Sequence, residues 1–359
     1  MRVIVIGAGL GGLTLAQGLR RAGIDVAVYE RDGALGRPQG VSLHVDDRGT
    51  TALRACLPPA HVAMVEATMG GPRGQTVTVS EQDGVLTVVG AQPSDGMAGR
   101  ARPGRQAHRP LLRAVLLTGL ADAVRFDAAF TRYEQRTDGT VRVWFADGTT
   151  DTADVLVGAD GIGSAVRRQY LPDVRVVDTG RRMLMGATPR RAITDTDLCG
   201  LLGDDPVTVR VRDTMMVLGS LRFTEPPATA RQRWLPALSP SAVADVEDYV
   251  MWALPGRRDA TDLPPALRSV VAEAWPDVTV ALRIGVIPPI PAWPASPVTV
   301  LGDAVHLAPG FGGNLAMQDA QHLCEALVDA EHGHLLDAIG AYEDALRRNS
   351  FALSAAGTS

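Results

Sequence analysis

The chain contains no lysine, so all 35 of its Lys and Arg residues are arginine. Schiff-base catalysis, phosphate binding by a P-loop lysine and lysine-dependent flavin halogenation are therefore closed to it. Cysteine is scarce too. Cys56, Cys199 and Cys324 stand far apart without CxxC or Cys/His ligand spacing, so small buried thiols in a reducing compartment are expected rather than structural zinc or a disulfide framework. No basic-then-apolar leader precedes the first apolar run, and no uncharged stretch approaches the ~20 residues that span a bilayer. A soluble, cytoplasmic protein with no membrane contact is expected. The formal charge of -5 gives no blanket attraction to nucleic acid. Repeats, low-complexity tracts and flexible linkers are lacking. So are a Ser/His/Asp triad, a carboxylate pair and a metal cluster, so catalytic side chains stay unassigned.

What is present begins at the N-terminal end. The 359 residues, 46% hydrophobic and 21% charged, suffice for one large or two interlocked globular domains. Val3-Ile4-Val5-Ile6 runs into Gly7-Ala8-Gly9-Leu10-Gly11-Gly12, then into the helical pattern Leu13, Leu15, Ala16, Leu19. Val26-Ala27-Val28-Tyr29 reads as a second parallel strand ending at Glu30. This is the order of a dinucleotide-binding unit. Gly7 permits the turn, Gly9 lets backbone approach a pyrophosphate, and Gly12 lets helix pack on strand. The phosphates rest on the unpaired amides of the helix N-terminus, and Glu30 accepts from a ribose.

Two later segments repeat the strand-to-turn logic. Asp154-Val155-Leu156-Val157-Gly158 runs into Ala159-Asp160-Gly161 and a helix start at Ser164 to Arg167. Just before it, Val141-Arg142-Val143-Trp144-Phe145 and Ala146-Asp147-Gly148-Thr149 read as a hairpin, an antiparallel excursion from a doubly wound sheet. Val298-Thr299-Val300-Leu301 then ends in Gly302-Asp303, followed by Pro309, Gly312, Gly313 and Asn314 at the head of another helix. Asp303 is placed to hold ribitol or ribose hydroxyls. The backbone N–H groups of Gly312, Gly313 and Asn314 suit a flat heterocycle that becomes anionic on reduction.

At these three places the chain resembles the FAD-dependent aromatic hydroxylases, the single-component flavoprotein monooxygenases that include para-hydroxybenzoate hydroxylase and the tetracycline-modifying oxygenases. Gly7, Gly9, Gly12 and Glu30 match the family's FAD motif, with Gly11 and Arg31 beside them. Asp160-Gly161 with Ser164 and Arg167 match its DG motif, and Gly302-Asp303 with His306, Pro309 and Asn314 its GD motif. His108-Arg109-Pro110-Leu111-Leu112-Arg113 resembles a helix start from which the family places the arginine at Arg113 on the FAD. The resemblance implies noncovalent FAD, no His or Cys standing in a linkage motif. With one GxGxxG only, NAD(P)H is expected as a transient hydride donor.

The implied fold is α/β: a Rossmann-type FAD-binding domain with a parallel sheet (1–180 and 298–359), interlocked with an antiparallel-sheet substrate domain (181–297). Val207 to Arg212, Met215 to Phe223 and Tyr249 to Leu254 read as strands whose one face roofs a ligand pocket, with Met183, Met185, Met215, Met216 and Met251 as candidate walls. Only sixteen residues follow Glu343, where the family continues through a longer bracing helix, so the brace is in question. The implied chemistry is reduction by NAD(P)H, reaction with dioxygen to a flavin C4a-hydroperoxide, and hydroxylation or epoxidation of a small-molecule substrate. Met, Val and Leu in the pocket sheet, with only five tyrosines in the chain, favour a bulky aromatic or polyketide-like scaffold over a small phenolic acid. A non-oxygenating flavin enzyme, such as a dehydrogenase or cyclase, and a non-catalytic flavin-binding protein stay as alternatives. His44 and His306 lie nearest the motifs, and oligomeric state is left open.

Overall fold

The computed structural model describes residues 1–34, 40–95, 102–256, 263, 265–307, 312–330 and 334–356. A five-stranded parallel sheet takes the order Val298–Val300, Val155–Gly158, Arg2–Ile6, Asp25–Tyr29, Val124–Arg125. Val3, Ile4, Val5, Val155, Leu156, Val157, Val298 and Val300 are all fully buried, as strands covered on both faces require. The helices Leu10–Arg21 and Gly312–Asp329 pack on one another beside it. A Cβ on Gly11 would stand 2.7 Å from Leu301 Cδ1, so that glycine brings the first turn against the last parallel strand. Two turns further along, Gly18 faces the thiols of both Cys56 and Cys324, which are free and buried.

The expected hairpin is present as Val141–Phe145 against Thr150–Ala153, turning at Gly148 with φ 85°. The C-terminal helix lies against the parallel-sheet domain. Leu335–Ala356 is helical, Tyr342 Oη donates to Val300 O at 3.0 Å, and Thr299 Oγ1 donates to Glu343 Oε1 at 2.8 Å.

The second sheet has seven strands in the order Val280–Val286, Val177–Pro189, Tyr249–Pro255, Thr214–Leu221, Val207–Val211, Gln75–Gln82, Val85–Pro93. It is not confined to 181–297. It starts at Val177 and recruits the hairpin 75–93 from inside the first segment, Gln75–Gln82 pairing parallel to Val207–Val211. That hairpin turns on Asp83 and Gly84, with φ 52° and 81°, the two positive values that a right-twisting two-residue turn needs. One face of the sheet is packed shut. Trp252, Val250, Leu254, Met216, Leu218 and Val209 form its core, and Trp252 Nε1 donates to Thr188 Oγ1 at 3.1 Å.

Candidate cofactor and substrate site

The glycines of the first turn divide by what surrounds them. Gly7 has φ 110°, and a Cβ there would strike the Ala159 carbonyl; at Gly12 it would strike the Gly7 carbonyl. At Gly9 nothing lies within 4 Å, so the backbone there is bare. The helix beginning at Leu10 has no side-chain cap and no acidic residue in its first turn. Its leading amides are thus available to an anion. Glu30 is held at the end of its strand by accepting from Ala8 N at 2.8 Å and Asp32 N at 3.0 Å, and each oxygen keeps a spare lone pair. Arg113 reaches the same turn, donating from Nε to Ala8 O at 3.0 Å and from Nη1 to Ala34 O at 3.1 Å. Arg31 does not join it: its side chain is half exposed and its nearest acid is Asp32, 4.0 Å away.

The DG and GD turns meet the first turn from the other side. Asp160 Oδ2 caps the following helix, accepting from Ala165 N at 2.6 Å and Val166 N at 3.3 Å, while its Oδ1 is buried without a partner. Arg167 then links the two turns, donating to Ile162 O at 2.9 Å and to Ala304 O at 2.8 Å. Gly302 adopts φ 60°, and its N–H donates to Asp319 Oδ2 at 2.9 Å. The same oxygen lies 2.6 Å from His306 Nε2. Burial disfavours the His306 imidazolium, but Asp319 outweighs it and raises the pKa. This buried pair shapes the turn from beneath. His44 likewise spends Nε2 on Arg102 O, at 2.9 Å.

Asp303 is different. Its side chain is solvent-exposed, and desolvation by the surrounding fold raises its pKa against the pull of His306 and Arg109. It takes no hydrogen bond among the described residues, and a Cβ on Gly312 would stand 2.7 Å from its Oδ1, so it overhangs the head of the helix Gly312–Asp329. Gly313 rests on Leu43. Asn314 is buried and its side chain is spent on structure, accepting from Asp46 N at 3.0 Å and donating to His44 O at 2.8 Å. Only its backbone amide can serve a ligand. Pro309 lies outside the described residues.

Facing these turns is the open side of the seven-stranded sheet. Strand alternation puts Met183, Met185, Ala187, Met215, Val217, Gly219, Tyr249 and Met251 on that side, opposite the Trp252 core. Four of the five candidate methionines therefore line it, and Met216 is corrected to the core, fully buried. At its edge stand His108 and Arg109, half-buried and desolvated by protein, neither of which sequence reasoning singled out for a site. Arg109 has a depressed pKa from burial, offset by the nearby charge of Asp303. Their position five and four residues before Arg113, at the head of the same helix, was the available signal. A separate cavity of about 360 Å³, lined by Arg2, Arg20, Asp25, Asp122 and Arg125, opens at the opposite edge of the parallel sheet. Arg2 and Arg20 are paired with its two acids, Asp25 and Asp122, and ligands of open parallel sheets sit at the carboxyl edge instead.

The residues present fit an FAD. A bare Gly9, an uncapped helix head, a fixed Glu30 and an Asp303 without a hydrogen bond among the described residues offer, in turn, room for a pyrophosphate, amides for its charge, and acceptors for sugar hydroxyls. Residues 5–49 match the family model of the NAD(P)-binding Rossmann-like domain. The chain is 31% identical over 409 residues to the dual O-methyltransferase/FAD-dependent monooxygenase CTB3 of Cercospora beticola, covering 96% of this chain and 44% of that protein. It thus spans less than half of that relative's length. It is 30% identical over 329 residues to the FAD-dependent urate hydroxylase of Klebsiella pneumoniae, covering 89% of this chain and 79% of that one. A solved structure from Photorhabdus luminescens, assigned as an FAD-containing monooxygenase, superposes with a TM-score of 0.79 at 27% identity, over 99% and 97% of the two chains.

Proposed function

The chain belongs to the FAD-dependent monooxygenases, and on that premise we propose that it binds FAD noncovalently and oxygenates a bulky aromatic or polyketide-like molecule at the expense of NAD(P)H and dioxygen. The observation that carries this reading is the meeting of three strand-end turns, with Gly9 open, the Leu10 helix head uncapped, Glu30 held in place and Asp303 without a hydrogen bond among the described residues. When bound, the flavin supplies hydride acceptance and oxygen transfer.

The protein's own work is positional. Helix-head amides at Leu10 take the pyrophosphate charge, Glu30 holds the adenosine ribose, and Asp303 holds hydroxyls of the ribityl chain. Arg113 and Arg167 fix the turns that carry these groups. The amides of Gly312, Gly313 and Asn314 stabilise negative charge on the reduced ring, and the apolar sheet face excludes water from the reacting centre. A Met-rich wall adapts to a large ligand by shape.

Purified protein should be yellow and release FAD on acid precipitation. Polycyclic aromatics should stimulate NAD(P)H oxidation, with one atom of labelled dioxygen entering product and the other entering water. Colourless protein that cannot be reconstituted, or oxidation without a labelled product, refutes the reading.

A further inference from the structure

Two of the three cysteines face one another across a space that a glycine keeps clear. Cys56 is the last residue of the helix Asp47–Cys56, and Cys324 stands on the helix Gly312–Asp329, which packs along it. A Cβ on Gly18 would lie 2.8 Å from Cys324 Sγ and 3.2 Å from Cys56 Sγ, so both sulfurs crowd one point on the helix Leu10–Arg21. The opposite end of the helix pair is fastened as well. Asp46 N donates to Asn314 Oδ1 at 3.0 Å across 268 residues of chain, and the two cysteines repeat that separation ten residues further on. The helices therefore run side by side in one direction, and the sulfurs meet at the end that the Asp46–Asn314 bond leaves free.

Their surroundings make one thiol the reactive partner. Cys324 keeps 8% of its surface exposed beside the exposed Glu325, against 2% for Cys56, so a small solute reaches Cys324 first. A hydrogen bond from the Cys56 thiol holds the Cys324 pKa below that of an ordinary thiol, and the Cys56 pKa is raised in return. Arg21, fixed by donating to Ala55 O at 2.7 Å and Leu57 O at 3.0 Å, adds a positive charge that favours the thiolate. A low-pKa sulfur near the surface with a second thiol directly behind it is the arrangement that reversible oxidation needs.

We propose that Cys56 and Cys324 are a redox pair that hydrogen peroxide converts to a reversible disulfide, clamping the helix Asp47–Cys56 to the helix Gly312–Asp329. The Cys324 thiolate attacks a peroxide oxygen; an S–O bond forms, the O–O bond breaks, and the departing hydroxide takes a proton and leaves as water. The Cys56 sulfur, giving up its proton, then attacks the Cys324 sulfur, an S–S bond replaces the S–O bond, and a second water leaves. The two thiols lose two electrons and the peroxide gains them, so a dithiol reductant reverses the change. All seven strands of the second sheet lie inside the loop so closed, and a loop of that length takes much freedom from the unfolded chain.

The test treats the reduced protein with hydrogen peroxide and digests it with trypsin, which cuts this lysine-free chain only after arginine. Wild type should lose two of its three thiols and regain them with dithiothreitol, the disulfide joining peptides 55–73 and 284–347 while Cys199 stays free on peptide 192–210. The oxidised protein should melt several degrees above the reduced one. Cys56→Ser, whose hydroxyl can still donate to Cys324, should form no cross-link, show no such rise and trap a sulfenic acid on Cys324 as a dimedone adduct. Three free thiols after treatment, a disulfide that includes Cys199, or a cross-linked protein that melts no higher overturns the proposal. Should Cys56→Ser fail to fold, the thiol count, peptide map and melt of wild type decide it.

Discussion

Replacing Asp303 with Asn should weaken the holoenzyme and strengthen the empty protein at once. In the ligand-free fold the carboxylate takes no hydrogen bond among the described residues and has a raised pKa. Its charged form is therefore less favourable folded than unfolded, even with Arg109 and His306 nearby. A raised carboxyl pKa means that the folded state holds the proton more tightly, so stability is greatest below the ordinary carboxylate range near 3.8 and falls as pH rises through the folded value. Asp303→Asn removes that loss, and the apoprotein should melt higher than wild type at pH 7, the gap closing toward pH 4. FAD affinity should move the other way. Losing a charged acceptor for sugar hydroxyls costs about 1–3 kcal/mol, roughly 5- to 150-fold in Kd. Flavin fluorescence titration and thermal melts of apoprotein, both run across pH, read the two effects independently. Unchanged FAD affinity in a folded Asp303→Asn variant refutes the assignment of Asp303 to the cofactor. A melting gain that does not depend on pH refutes the electrostatic reasoning.

Two further outcomes follow from the geometry. Gly9→Ala adds a methyl group where no protein atom lies within 4 Å, so apoprotein stability should hold to within about 0.5 kcal/mol while FAD affinity drops; Gly12→Ala drives a Cβ into the Gly7 carbonyl and should lose fold and cofactor together, as circular dichroism and flavin retention would record. Glu343, fully buried beneath the strand leading to the GD turn, has its pKa pushed up to about 7 by burial. Its protonated form fits the fold, so stability should decline between about pH 4.5 and 7, and Glu343→Gln should melt higher than wild type at pH 8 and no higher at pH 5, which thermal scans at the two pH values test.

The cofactor turns were legible because their demands are local. Gly12 answers the Gly7 carbonyl within one strand–turn–helix unit, Glu30 is fixed by Ala8 and Asp32 in the same unit, and Gly7, though it meets Ala159 across the sheet, is demanded locally by its φ of 110°. Residues whose meaning depends on cross-chain packing were not legible. Met215 and Met216 are adjacent, and only strand register decides that one lines the cleft while the other fills the core. Asn314 sits at a helix head as expected, yet its side chain is claimed by a strand about 270 residues earlier. His108 meets Tyr249, 141 positions away, only through the fold. The Asp83-Gly84 turn was readable as a hairpin signal, but nothing in the local pattern says that its strands join Val207–Val211.

That recruited hairpin bears on how the enzyme could be re-engineered. Because the ligand-facing sheet is woven from 75–93 and 177–286, the chain leaves the nucleotide-binding framework and returns to it twice. Specificity in such an architecture is not a cassette. A transplant of 177–286 alone from a relative would arrive without its two outer strands, and the parallel edge of Val207–Val211 would lie open to pairing with another chain. Exchange of substrate preference between members of this family should succeed when both segments travel together, and recombination crossovers that separate them should give insoluble protein whatever residues line the cleft.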